Sequence, residues 1–381
     1  MNDQLPSAWA EIDLSAIAHN VRTLRAVLSP PAQLMAVVKA NAYGHGALPV
    51  ARTALQYGAA WLGVARVGEA LELRTSGIEA PILLLGPISP AEAADAVRAR
   101  ARVALASVPV ARALSEQSQA QGVITPVHLK IDTGMSRFGV PLGQTLDFAR
   151  TVQSLPALRL EGVFTHFAVA DEADKSFTLQ QAEHFAQALA DLERAGVDVP
   201  LRHAANSAGV LSAERFHFDL VRAGIALYGA QVGLNLPLMK RLRPALSLKS
   251  RVAYVRRVAA GATVGYGRTF TCEREMGLAL VSIGYADGVR RALSNRGAVL
   301  IRGQRARILG RVSMDQIVVS ADECGAQEGD EVVLIGRQGD AEITVDEVAG
   351  WAGTISYEIF TGIGARVPRV YLDSEAGPVK T

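Results

Sequence analysis

The sequence predicts an α/β protein with a β-rich second part: an N-terminal (β/α)8 barrel of the TIM type, then a mainly β C-terminal domain. Two observations carry this. Eight short apolar runs alternate with helix-period stretches between residues 34 and 221, and near 235–245 the texture changes to short strand-like segments separated by glycine or polar turns. The 381-residue length suits two domains or three.

The apolar runs are 34–38, 61–65, 82–85, 103–106, 127–131, 160–164, 201–204 and 218–221. Helix signals fill the gaps. Ser89, Pro90 and Glu92 read as an N-cap, a first-turn proline and a capping-box acid. The stretch 178–195 has helix-period apolar spacing through Phe185 and Leu189. A closed barrel follows, with a doubly wound sheet as the alternative. Beyond Arg241, segments 247–258, 277–283, 298–301, 306–312, 316–319 and 331–335 read as strands, and helical spacing is nearly absent until 344–351. The expected domains are therefore 1–241, with the stretch 1–12 a candidate to pack with the β domain, and 242–381.

Composition narrows the function classes. Thirty-nine basic against 37 acidic residues give a net charge of +2, too small to imply nucleic acid or another polyanion. The densest basic stretch, 240–257, alternates with apolar residues as a solvated strand face does. Cys272 and Cys324 form no CxxC, and the seven histidines show no HxxxH spacing, so neither a disulfide framework nor a metal is expected. Residues 1–10 lack a signal-peptide pattern, and no apolar run approaches membrane-spanning length, which points to a cytoplasmic protein with no membrane partner.

Candidate chemistry lies where barrel strands end. In the first run Met35, Val37 and Lys39 share one face. A lysine closing an apolar strand is disfavoured as a cation, and its lowered pKa suits an imine-forming amine; reaching out to solvent is the structural alternative. In the fifth run the alternation leaves His128, Lys130 and Asp132 opposite Val127, Leu129 and Ile131, so Lys130 points into the barrel and needs a partner. Asp132 or a glutamate could supply it. Asn206-Ser207-Ala208-Gly209 follows run seven and Gly224-Ile225 follows run eight, where barrels often bind phosphate through backbone N–H groups. An ordinary N-cap at Ser207 and an ordinary turn glycine at Gly224 are the structural readings. Gly265-Tyr266-Gly267 by itself reads as a β-turn.

The motif Val37-Val38-Lys39-Ala40-Asn41-Ala42-Tyr43-Gly44-His45-Gly46 resembles the cofactor-lysine signature of alanine racemases. The resemblance continues, in the family's order, through 128–139, 205–208, 221–229, 264–267 and 310–315. It implies a homodimeric isomerase that interconverts L- and D-alanine with pyridoxal 5'-phosphate, supplying D-alanine for cell-wall peptidoglycan or serving alanine catabolism. It further implies the cofactor on Lys39, its phosphate held by Tyr43, Asn206, Ser207, Gly224, Ile225 and Tyr357, and Arg222 at the pyridine nitrogen. Lys39 would serve one face of Cα and Tyr266, from the partner subunit and assisted by His166, the other. Lys130 would be carbamylated to orient Arg137, which with the neighbour's Met314 meets the substrate. Tyr285, Asp171, Arg290, Arg311 and Ile355 match residues along the substrate's way in. Ser313 departs from the family, many of whose members carry cysteine there.

Three other readings stay open. A barrel decarboxylase of the same cofactor class typically has an acid where Arg222 stands. A racemase of serine or another amino acid would share the mechanism. A non-catalytic pyridoxal-phosphate carrier has a similar barrel but no β domain, so residues 242–381 weigh against it.

Overall fold

A computed structural model describes residues 7–233, 236–373 and 377–379; the first six residues of the N-terminal stretch lie outside the described residues. The chain divides into two compact units, one of residues 17–42 and 46–243, the other of residues 1–16, 43–45 and 244–381.

The first unit is a parallel barrel. Its strands are Gln33–Val37, Trp61–Val64, Ile82–Leu84, Arg102–Leu105, Thr125–Asp132, Leu158–Phe164, Leu201–His203 and Leu220–Ala223. The first seven pair each with the next, and the eighth pairs with the first, Val221 opposite Leu34. That return excludes the doubly wound alternative. Strands seven and eight meet through single backbone bonds, Asp219 N–H to Arg202 O and Arg222 N–H to Ala205 O, each 3.0 Å, so the ring is nearly closed. Met35, Trp61, Leu83 and Leu220 form a buried cluster with it. Helices such as Val67–Thr75, Val108–Ala120 and Ser176–Arg194 cover the outside, burying one stripe each. Glu92 accepts from the Ser89 backbone and hydroxyl at 2.8 and 2.9 Å, forming the capping box at a short 3-10 turn before the helix Ala93–Arg98.

The eighth strand begins two residues later than the apolar run suggests. Phe218 takes φ 51°, which no strand residue adopts, and Asp219 turns its carboxylate onto Arg202 at 2.7 Å.

The second unit is mainly β. The long strand Leu246–Val258 is its axis, pairing antiparallel with Ala8–Asp13, Glu331–Gln338 and Met276–Val281. Met276–Val281 pairs in turn with Ile317–Ser320. Ala8–Asp13 also pairs in parallel with Arg369–Asp373. Val264, Cys272, Leu278 and Leu309 make a buried cluster. The expected strand 306–312 is shorter, Gln304–Arg307 with one further bridge at Ile308, because Gly310 at φ 74° turns the chain. Two helices close the unit, Val345–Ala352, capped by Thr344, and Ser356–Thr361, which lacks a sequence signal of its own. Among the described residues no helix is long and apolar enough to cross a membrane.

Candidate active site

Lys39 lies two residues past the end of the first barrel strand. The backbone then does something unusual: Ala40, Asn41, Ala42 and Tyr43 all lie at φ 52–53°, a left-handed turn of four residues with side chains. Such a conformation costs about 1–2 kcal/mol per residue, so neighbouring contacts must hold it. Glu69 supplies one. Its Oε1 accepts from Ala40 N–H at 2.5 Å while Oε2 accepts from Ala65 and Arg66 N–H at 2.8 and 3.0 Å. Asn41 supplies another, accepting from Ala47 N–H at 2.7 Å where the helix Ala47–Gln56 starts. Glu69 therefore caps its own helix and pins the lysine turn together. With Arg66 rather than a serine or threonine at the N-cap, only the acid half of a capping box is present, which leaves a weak mark in the sequence. Burial lowers the Lys39 pKa, nearby Arg137 lowers it further, and Glu69 offsets part of this.

The barrel interior around Lys39 gathers cations. Arg222 is buried and extends from the eighth strand. One terminal nitrogen donates to the carbonyls of Thr165 and Ala204 at 2.7 Å each and approaches His166 Nδ1 at 3.3 Å. The other donates to His203 Nδ1 at 2.7 Å. Its Nε–H and one further N–H meet no acceptor among the described residues. Burial brings Arg222 down to about 9, which leaves it protonated at neutral pH. His166 is held well below its usual range by burial and then by Arg222, Lys130, Arg137 and Lys39, so it is neutral.

Lys130 does point inward and is buried. Its ammonium faces the ring of Phe164 at 5.2 Å and that of Phe138 at 6.0 Å. No carboxylate pairs with it among the described residues. Asp132 instead accepts from Gly134 and Ser136 N–H at 3.0 Å each, shaping the loop that carries Arg137. Burial, Arg222 and Arg137 together bring Lys130 to about 7. Among the described residues the acid partner that the sequence left open is absent, and the charged form of the lysine is disfavoured by its surroundings.

The loops after strands seven and eight meet at Ser207. Asn206, not Ser207, caps the short helix Ser207–Ser212, accepting from Gly209 N–H at 3.0 Å; this corrects the N-cap assignment by one position. Ser207 Oγ is thereby left to accept from Gly224 N–H at 2.9 Å and Ala226 N–H at 3.3 Å. The first-turn N–H groups of Ser207 and Ala208, and that of Ile225, have no helical acceptor and are the donors available to an anion.

The β unit carries the other candidates, and they are exposed. Tyr266 is 72% exposed, Ile355 61%, Met314 52%, Tyr285 43% and Tyr357 37%. The Gly-Tyr-Gly turn requires both glycines, at φ 68° and 72°, and the Arg311 guanidinium covers Gly267 so closely that a Cβ there would lie 3.0 Å from its carbon. Tyr285 N–H donates to Ser313 O at 2.9 Å and Ala286 N–H to Met314 O at 3.0 Å, so these segments form one surface. Arg290 holds Glu358 through its carbonyl at 2.5 Å and its carboxylate at 3.5 Å. Tyr43 and Tyr357 face each other with ring centroids 5.9 Å apart, and burial and Tyr357 push the Tyr43 hydroxyl up. Asp171 belongs to the barrel unit, an exposed residue whose carbonyl lies against Gly233.

Comparison with known proteins adds the family. The model for the alanine racemase N-terminal domain matches residues 12–232, and that for the alanine racemase C-terminal domain matches residues 245–371. The chain belongs to the alanine racemase family. It is therefore an enzyme of the isomerase class. It is 47% identical over 370 residues to the alanine racemase of Symbiobacterium thermophilum, covering 97% of this chain and 98% of that one. With the alanine racemase of Synechocystis sp. it shares 46% over 367 residues, 96% and 99% of the two chains. The crystal structure of alanine racemase from Bacillus anthracis with bound L-Ala-P superposes with TM-score 0.93 at 38% identity, covering 100% of this chain and 98% of that one. The structure from Bartonella henselae, which has covalently bound pyridoxal phosphate, gives 0.87 at 33% identity over 96% and 100%.

Proposed function

We propose that this chain interconverts L- and D-alanine with pyridoxal 5'-phosphate held on Lys39, in a homodimer whose active sites each draw residues from both subunits. The observation that carries the reading is the barrel interior itself. Lys39, Lys130, Arg137 and Arg222 converge there, and Lys39 and Lys130 have lowered pKa values. Such a set fits an anionic cofactor and a substrate carboxylate. The donors of Ser207, Ala208 and Ile225 suit the phosphate, and the family resemblance adds Tyr43 and Tyr357 to its ligands; Asn206 shapes the Ser207 loop and Gly224 keeps Ser207 in place. Two uncommitted N–H groups of Arg222 suit a ring nitrogen.

Bound there, the cofactor supplies an electron-withdrawing ring that acidifies the Cα–H of an amino acid. The chain's own groups do the rest. Lys39, its amine freed by the substrate, takes or returns the proton on one face of Cα. Tyr266 of the partner subunit does so on the other. His166 accepts from Arg222 at Nδ1, which leaves its Nε2–H to face that tyrosine. Arg222, itself protonated, would donate to the ring nitrogen and give it no proton, which would restrain electron withdrawal and disfavour transamination. Arg137 binds the substrate carboxylate, with Met314 of the partner subunit beside it. The Lys130 amine, adding to CO2 with loss of a proton, becomes a carbamate anion that orients Arg137 and resolves its own want of an acid. Tyr285, Asp171, Arg290, Arg311 and Ile355 line the approach. Two buried free cysteines suit a reducing compartment such as the cytoplasm.

Incubation with L-alanine and a panel of other L-amino acids, followed by chiral chromatography, tests the reading. D-alanine should form fastest. Equal or faster racemisation of serine, or release of CO2 from the substrate, would replace it. Borohydride reduction and peptide mass spectrometry should find the pyridoxyl adduct on Lys39, not on Lys130 or Lys249.

A further inference from the structure

Arg222 is a buried cation with no carboxylate within ion-pair distance among the described residues, yet it does not end at His203. His203 Nε2 lies 2.8 Å from His128 Nδ1, and His128 Nε2 lies 3.2 Å from Glu161 Oε2. Both histidines are fully buried. The chain Arg222–His203–His128–Glu161 has only one consistent assignment of protons. A guanidinium only donates, so His203 Nδ1 accepts and its proton sits on Nε2. That proton points at His128, whose Nδ1 accepts in turn, leaving the His128 proton on Nε2 directed at Glu161. A carboxylate only accepts, which completes the series. Both rings are neutral, their pKa values lowered by burial first and by surrounding charges. Burial pushes the Glu161 carboxyl up, but the bonds and charges of His128 and Arg102 outweigh it and take it to about 2, so the acceptor end is always charged at neutral pH.

The fold is bent to make this connection. Strands five and six run in register until Val127 faces Leu160 and then His128 faces Gly162, so Glu161 is the extra residue of a bulge in a parallel pair. Bulges re-aim side chains, and parallel ones are rare. Gly162 is the next requirement: a Cβ there would lie 2.7 Å from the His128 ring. Arg102 and Arg159 hold the two Glu161 oxygens at 3.1 Å each.

We infer that Glu161 is a positioning residue for the cofactor end of the site, acting through His128 and His203 to keep an acceptor facing Arg222 and so fix the guanidinium at the ring nitrogen. The inference rests on the proposed role of Arg222. Replacing Glu161 frees His128 to carry its proton on Nδ1, where it opposes the Nε2–H of His203; one ring must change tautomer, and the acceptor for Arg222 is lost.

The test uses the holoenzyme and two variants. Glu161→Gln keeps an oxygen that accepts from His128 and removes the charge; Glu161→Leu removes both. In histidine-labelled protein, 15N chemical shifts report which ring nitrogen carries the proton. Wild type and Glu161→Gln should show His128 and His203 protonated at Nε2, and Glu161→Leu should show a changed tautomer. Glu161→Leu should lower kcat by about 10-fold, the scale of a lost hydrogen bond to a charged group, with KM for alanine nearly unchanged. The same variant should raise the share of transamination, and Glu161→Gln should restore both. Arg159→Ala, which removes only an ion pair at the outer oxygen, should change neither. If Glu161→Leu does not fold, His128→Phe cuts the same relay one link further in and should raise the transamination share likewise. Unchanged tautomers and an unchanged product ratio in a folded relay variant would overturn the inference. Should Arg222→Glu itself leave the ratio unaltered, the ring-nitrogen reading fails instead, while the 15N signals still judge the relay.

Discussion

The two units carry their candidate chemistry in opposite ways. In the barrel, Lys39, Lys130, His166 and Arg222 are withdrawn from water, and their proton affinities are displaced by burial and by one another. In the β unit, Tyr266, Met314, Tyr285 and Ile355 stand in solvent, Tyr266 and Tyr285 on short 3-10 turns, Met314 on a bend and Ile355 at a helix N-cap. On the proposed reading the barrel supplies the half of the catalyst that burial has already prepared electrostatically, and the β unit supplies exposed groups that a second subunit would have to cover. That contrast is what a shared dimeric site requires, and each prediction below strikes one side of it.

The largest effect belongs to the barrel. Lys39→Ala should reduce racemisation by about 10²–10⁴-fold in at least one direction, since it removes an acid/base group, and should abolish the cofactor's absorbance above that of free pyridoxal phosphate. Retained activity would dissolve the barrel half of the comparison. Next, Arg222→Glu should slow racemisation while raising the transaminated fraction of product. An equal fall in both would show that the guanidinium only binds and does not tune the ring.

Much of this contrast was legible in the sequence, and the reasons are specific. Period-2 alternation in the fifth strand placed Lys130 inside, because an uninterrupted apolar face fixes the other face. Strand alternation put Lys39 on the face of Met35 and Val37, and Met35 lies in a buried cluster with Trp61, Leu83 and Leu220. The left-handed run Ala40–Tyr43 was not legible: none of its residues is glycine, and the conformation is held by Glu69 from outside the turn and by the bond that Asn41, within it, accepts from Ala47 N–H. Glu161 was hidden for a related reason. Alternation through 160–164 sets it against Leu160, Gly162 and Phe164, and the one mark of the bulge, Gly162, does not say which neighbour the bulged residue reaches. The cap at Asn206 was misassigned by one residue because asparagine and serine are both good caps, and Ser207 is occupied by Gly224.

Smaller effects sharpen the same comparison. Gly267→Ala forces a side chain into a left-handed turn against Arg311 and should cost about 1 kcal/mol of stability. It should lower kcat while leaving cofactor content and its spectrum unchanged, which separates damage to the display from damage to the barrel. The Lys130 prediction concerns pH. Its folded pKa is about 7 and its ordinary value 10.5, so between these the unfolded chain binds more protons and stability rises with pH. Below 7 both states are protonated and the burial penalty is present in full. The melting temperature of the protein without cofactor, held free of CO2 so that Lys130 stays an amine, should therefore climb from pH 7 toward pH 9 in wild type, and the climb should be smaller in Lys130→Met. An identical pH dependence in the two proteins would mean that Lys130 is not titrating in the buried site.

The central claim is that the barrel's base and the β unit's base act in one site but come from two chains. Lys39→Ala and Tyr266→Phe homodimers, each inactive alone, are mixed under conditions where subunit exchange is verified by mass-tagged chains. With random assortment half the dimers are hybrids, and each hybrid has one site with both lesions and one with neither. The account predicts recovery of about a quarter of wild-type activity. If both residues served from the same chain, every site in the mixture would carry a lesion, and no recovery despite verified exchange would contradict it.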